Sequence, residues 1–143
     1  MDYIIRQLSV FVENKSGRLN RILESLAKAK VRIVAAMVAD TSEFGILRLI
    51  TNDEQAAESA LKTSGLTAAL SNVIALECNS GAGAFADIIG LFSLNNISIE
   101  YMYCFSKAGS AFLILKTDNP EAAIKCALAN KLQLISEDDL KNL

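Results

Sequence analysis

The hydrophobic pattern of this chain is written twice. Leu8, Val10 and Val12 alternate along one face, as a half-buried strand requires, and Leu19, Ile22, Leu23 and Leu26 then recur at helical spacing. Sixty-six positions later Phe85, Ile88, Ile89 and Phe92 repeat that helical stripe, and Ile97 and Ile99 answer Val31 and Ile33. Gly17 falls on Gly83, Thr51 on Thr117, and Ala56 and Ala57 on Ala122 and Ala123, without a gap. Such self-similarity marks one supersecondary unit used twice, here over residues 1–71 and 72–143. A unit of about 70 residues is only marginally stable alone, so each half is expected to lean on the other.

Within the first unit the pattern predicts a strand over 4–12, a turn over 14–17 with Asn14 or Ser16 as helix N-cap, and a helix to about 29. Strands over 31–40 and 44–51 follow, joined by a turn at 41–43 too short for a parallel crossover. A second helix over 53–64 stops at Gly65, and a strand covers 66–70. The second unit repeats the order, with strands over 73–78 and 96–105, a hairpin turn at 106–109, a helix opened by Asn119 and Pro120, a strand over 132–135 and a short turn capped by Ser136. Glu137, Asp138 and Asp139 suit the start of that last turn. The fold class is α+β: two ferredoxin-like β-α-β-β-α-β units with antiparallel sheets.

One feature departs from an ordinary sandwich of this kind. Val34, Ala36 and Val38 alternate with Ile33, Ala35 and Met37, and Phe112 and Ile114 with Leu113 and Leu115, so these strands are apolar on both sides. Strands of that kind are buried on both faces, which predicts two sheets face to face, within the chain or in a homo-oligomer, a dimer being the simplest. Tyr101, Tyr103 and Phe105 are placed on the face of Ile97 and Ile99, as packing residues. Lys28, Lys30 and Arg32 are read as solvated charges at a helix end.

Composition narrows the chemistry. There is no histidine, and Cys78, Cys104 and Cys126 have neither zinc spacing nor an even count, which fits reduced thiols in a cytoplasmic setting. No Walker loop occurs, and no base stands beside a serine or cysteine. These absences predict a protein without metal, cofactor or catalytic centre. The net charge of −2 offers no basic footprint for nucleic acid. No apolar run is long enough for a membrane span, and the start, MDYIIRQ, has no secretory pattern.

The stretch Gly81-Ala-Gly83-Ala-Phe-Ala86, with Glu100 nineteen positions beyond Gly81, imitates a dinucleotide fingerprint. Its strand runs on past Glu100 and returns as a hairpin, and the matching turn in the first unit has one glycine, so the motif lacks its βαβ context. The turns themselves allow two readings. Gly17 and Gly83 each stand where a strand feeds a helix, where unpaired N–H groups suit a small carboxylate; equally, a tight turn needs glycine for its dihedrals alone.

Two such units, each with a strand, a glycine turn and a helix, as in Glu13-Asn14-Lys15-Ser16-Gly17-Arg18-Leu19, resemble tandem ACT domains over almost the whole chain. The family's turn reads Asn-x-Pro-Gly-x-Leu. Asn14, Gly17 and Leu19 keep it, with Ser16 in place of proline; the second turn keeps Gly83, with Ala82 for proline and Phe85 for leucine. Where the family often has asparagine at the start of the second strand, Arg32 and Ser98 stand here. The resemblance implies a non-catalytic regulatory protein that senses a free amino acid and acts on a separate metabolic enzyme or regulator. The alternative is a structural or interaction module with vestigial sites. It also implies units paired through their second strands, with ligand at the seam. One pocket would then join Asn14, Lys15, Ser16, Gly17, Arg18 and Leu19 to Ser98 and Glu100, the last accepting an α-ammonium. The other would join Asn79, Ser80, Gly81, Ala82, Gly83, Ala84 and Phe85 to Arg32 and Val34, where a cation repels the ammonium.

Overall fold

The computed structural model describes residues 2–13, 15–40, 44–79 and 81–143. The elements run β1 (Ile5–Glu13), α1 (Arg18–Lys28), β2 (Ile33–Asp40), β3 (Phe44–Thr51), α2 (Glu54–Thr63), β4 (Ala68–Asn79), α3 (Ala84–Leu94), β5 (Ile99–Lys107), β6 (Ser110–Thr117), α4 (Pro120–Ala129), β7 (Gln133–Ile135) and α5 (Glu137–Lys141). By contacts the chain forms two compact units. The first comprises Arg6–Ser71 with Lys141–Leu143, and the second Asn72–Leu140 with the residues up to Ile5.

The first unit has strand order β2-β3-β1-β4, with β3 antiparallel to both β1 and β2. In the second the order is β5-β6-β4 with β7 on the far side of β4, again antiparallel. Each is the ferredoxin-like arrangement that the repeat predicts. One strand differs from expectation. The sequence predicts separate strands over 66–70 and 73–78, whereas β4 is continuous from Ala68 to Asn79. No glycine or proline falls between those residues, so nothing interrupts the extended chain.

Each unit buries one helix face against one sheet face. Leu8 and Val10 of β1, Leu47 and Leu49 of β3, Ile22 and Leu26 of α1, and Ala57 and Leu61 of α2 form the first core. Ile74 and Leu76, Leu113 and Leu115, Ile88 and Phe92, and Ala123 and Ala127 form the second. Each residue of the first set meets its counterpart 66 positions on, so the repeat seen in the sequence is a repeat of core positions. Full burial of a large aliphatic side chain contributes roughly 1.5–3 kcal/mol. The small residues Ala57 and Ala123, both fully buried, let α2 and α4 lie close to their sheets. Asp53 and Asn119 cap those helices, each accepting from the N–H three residues on, at 3.0 and 3.1 Å.

The other sheet face is buried in part, though Phe11 and Phe44 on it stay exposed. Ile50, Val73, Ala75 and Ile114 are fully buried in the single chain and Phe112 nearly so. Phe112 stacks on Phe105 of the neighbouring strand with ring centroids 5.1 Å apart. That contact corrects an expectation. A register shift lies between Ile99 and Tyr101, so Ile99 packs on the helix side while Tyr101, Tyr103 and Phe105 share the face of Ile114 and Phe112. The same shift between Ile33 and Ala35 puts Ile33 on the face of Ala36 and Val38. An extra residue reverses which side of a sheet every later residue faces, and simple alternation does not reveal it.

The hairpin between β5 and β6 turns through Ala108 and Gly109, both at positive φ (54° and 82°), the geometry of a two-residue type I′ turn. The corresponding turn expected at residues 41–43 lies outside the described residues.

Candidate functional site

The turns that open α1 and α3 have nearly the same backbone. Gly17 has φ 85° and ψ −10°, and Gly83 φ 84° and ψ −7°. A Cβ at either would meet nothing within 4 Å, so it is the left-handed conformation, and not crowding, that calls for glycine. Gly17 is itself the N-cap of α1; Ser16 does not take that role, and Asn14 lies outside the described residues. Among the described residues no side chain caps either helix. Each helix start presents the positive end of its dipole.

The two turns differ in charge. The first turn of α1 contains no acid, whereas α3 has Asp87 there. Both turns close on themselves: Gly81 N donates to Asn79 Oδ1 at 2.8 Å, and the equivalent Lys15 N donates to the Glu13 carbonyl at 2.7 Å. Ala82 lies in the turn, Ala84 begins α3, and Phe85 packs against the second core. Ser80 lies outside the described residues. The difference between the two helix starts is therefore Asp87, a carboxylate in the first turn of α3 with no counterpart in α1.

A cavity of about 180 Å³ adjoins the first turn. Val12, Leu19, Val38 and Gly45 give it an apolar wall, and Lys15, Glu13 and Asp40 supply charge. Glu13 is engaged by Lys15 at 3.4 Å and Arg18 at 3.7 Å, all largely exposed, so these pairs contribute little to stability. Lys15 and Leu19 were expected at a site; Val38, Asp40 and Gly45 were not. The sequence signal for them was hidden by the shift in β2, beyond which Val38 and Asp40 face the helix side. Their counterparts in the second unit are Cys104, Ser106 and Ala111, and that of Lys15 is Gly81. The second unit therefore lacks both charges.

The four second-strand residues fall into two equivalent pairs. Arg32 and Ser98 are held by their backbones: Arg32 N donates to Asn52 Oδ1 at 2.8 Å and Ser98 N to Asp118 Oδ1 at 3.1 Å. Asn52 N and Asp118 N return bonds to the Arg32 and Ser98 carbonyls at 3.0 and 3.1 Å. The Arg32 guanidinium donates to the Lys141 carbonyl. Ser98 borders a depression of about 590 Å³ with Ser93 and Asn96. Val34 and Glu100 are the extra residues of the two register shifts. Glu100 pairs with Lys116 at 3.2 Å, so an ammonium group reaching Glu100 must displace that lysine.

Among the other titratable groups, burial pushes the Cys78 thiol up, and Cys104 and Glu77 add to the effect, the opposite of an activated nucleophile. Among the described residues no cluster of potential ligands could hold a metal, and no helix is long and apolar enough to cross a membrane.

Among solved structures, protein BT0572 from Bacteroides thetaiotaomicron superposes with a TM-score of 0.95 at 35% identity, covering 99% of this chain and 98% of that one. The regulatory subunit of aspartate kinase from Thermus thermophilus, in its ligand-free form, matches at TM-score 0.66 and 14% identity over 87% of this chain and 91% of that one. Its equivalent from Thermus flavus matches at TM-score 0.64 and 16% identity over 90% and 93%. At those identities the last two show a common fold. No curated protein matches the chain. The ACT domain pair family matches residues 3–143. With two ferredoxin-like units and two glycine turns in register, the chain belongs to the ACT domain pair family.

Proposed function

We propose that this chain is a non-catalytic, cytoplasmic regulatory protein that binds a free amino acid at the first turn and acts on a separate metabolic enzyme or regulator. The observation that carries the reading is that Lys15 and Asp40 both line an apolar-walled cavity beside the Gly17 turn that opens α1. A zwitterion needs such a set: N–H groups and Lys15 for its α-carboxylate, Asp40 for its α-ammonium, and an apolar wall for a small side chain. The regulatory subunits of aspartate kinase with the same fold support a role exercised on a partner. Ligand affinity that differs between two states of the partner would supply typically 1–3 kcal/mol of coupling. Among the described residues β2 pairs only with β3, and the exposure of Val38 on that edge supports association with a second copy.

The alternative, a structural module, has a specific observation in its favour for the second unit alone: Asp87 disfavours a carboxylate at that turn. A thermal-shift screen of the twenty amino acids tests the proposal. A ligand at a hundred times its Kd stabilises by about 2.7 kcal/mol, a shift easily read. A protein whose melting temperature ignores every amino acid is the structural module instead.

A further inference from the structure

A larger cavity of about 370 Å³ lies between α1 and the segment that follows α2, adjoining the turn cavity through Val12 and Glu13. Arg18 and Arg21 stand on its α1 side, with Ser25 beyond them; Ser64 faces Ser25 with their hydroxyls 2.7 Å apart. Phe11 and Phe44 complete it, and they are 69% and 49% exposed. We propose that this cavity binds a small organic anion, a carboxylate or phosphate monoester on an aromatic or apolar body.

Three independent observations support this assignment. The first is charge. Arg18 is partly neutralised by Glu13 at 3.7 Å, whereas Arg21 makes no ion pair among the described residues, so the cavity keeps a net positive charge. Planar guanidinium groups suit the two-oxygen edge of a carboxylate or phosphate. The second is placement. Both arginines occupy the start of α1, the positive end of its dipole, where cations weaken a helix. Helix stability therefore does not explain them, and an anion bound there would relieve both charges and the dipole together.

The third is the repeat, which acts as an internal control. The same fold in the second unit carries Ala84, Asp87 and Leu91 where the first has Arg18, Arg21 and Ser25. It carries Glu77 and Ser110 in place of Phe11 and Phe44. The cations, the hydroxyl and the aromatic pair are thus not what these positions need in order to fold. In the first unit they come together around one cavity. Its volume falls in the range of small-molecule sites, and exposed phenylalanines beside it offer a surface for the apolar body.

The test is a calorimetric titration with phenyl phosphate, benzoate and inorganic phosphate, followed by amide NMR of the complex. The expected result is saturable binding of phenyl phosphate or benzoate, with shifts centred on Arg21, Ile22, Ser64 and Gly65. Inorganic phosphate should bind at least roughly tenfold more weakly for want of the apolar contact. Arg21 and Phe11 are exposed, so Arg21→Gln and Phe11→Ala leave the fold intact; each should weaken phenyl phosphate at least roughly tenfold. Asp40→Asn, which strikes the turn cavity, should leave phenyl phosphate binding unchanged, so this site and the amino-acid site fail separately. Absence of saturable binding by either aromatic anion at millimolar concentration overturns the assignment. So does binding that Arg21→Gln leaves intact.

Discussion

Val34 and Glu100 are one position of the fold seen twice, each the extra residue at which an edge strand slips one place against its neighbour. Ile33 pairs with Thr51 and Ala35 with Ile50; Ile99 pairs with Thr117 and Tyr101 with Lys116. The shift leaves Glu100 beside Lys116 at 3.2 Å, half exposed. Glu100→Gln should therefore change stability by no more than about 1 kcal/mol and amino-acid affinity only slightly, because the carboxylate is already engaged. Urea unfolding and calorimetry on the variant check both halves. A large loss of affinity would move the ammonium acceptor from Asp40 to Glu100.

Replacing Gly17 or Gly83 by alanine tests the backbone argument. Both have φ near 85° and neither added Cβ meets an atom within 4 Å, so the cost is conformational, about 1–2 kcal/mol. The two variants should lose stability equally in denaturant titrations. A marked inequality would mean that one turn is held by contacts beyond its dihedrals.

Lys141 and Glu54 form a half-buried ion pair at 2.7 Å, with side chains 19% and 16% exposed. Burial raises the Glu54 carboxyl, but the Lys141 hydrogen bond, its own backbone N–H, and the charges of Lys141 and Arg6 outweigh it, leaving it below the usual value of 4.5. A lowered folded pKa contributes stability that is present above the unfolded value and lost as pH falls through the folded one. Lys141→Met should cost about 1–2 kcal/mol at neutral pH. That cost should shrink as pH drops below the usual glutamate value. Unfolding free energies of both proteins across that range read the difference directly.

Ile114 is fully buried on the sheet face away from the helices. Ile114→Asp removes apolar burial and places a charge in a fully buried position, at a cost of at least about 4 kcal/mol. That is a large part of the stability of an ordinary domain. Loss of cooperative unfolding is the expected reading, and an unchanged midpoint would show that this face can open to water.

Much of the fold was legible because burial is periodic. Leu8, Val10 and Val12 alternate, α1 carries its stripe, and both reappear after 66 residues. Gly17 and Gly83 were legible as turns because few other residues adopt their φ. What alternation could not reveal was the added residue in β2 and β5, since a bulge leaves the string of residues unchanged and alters only their pairing. For that reason alternation alone puts Tyr101 and Phe105 on the face of Ile99 and turns Asp40 away from the first turn. The continuity of β4 is hidden for another reason: Ser71 and Asn72 are common in turns, yet β4 runs unbroken from Ala68 to Asn79.

The central claim is that one amino acid binds per chain, at the first turn, between Lys15 and Asp40. Calorimetric titration of the best ligand from the screen tests it most directly, on the native protein and on Asp40→Asn, Gly45→Ala and Asp87→Asn. Gly45→Ala adds a methyl group with ordinary contacts of 3.5–3.8 Å, narrowing the cavity without strain. The account predicts one site per chain, a loss of at least roughly tenfold in affinity for Asp40→Asn from a missing charged hydrogen bond, a smaller loss for Gly45→Ala, and no change for Asp87→Asn. Two equal sites per chain, or an affinity that Asp40→Asn does not alter, would contradict it.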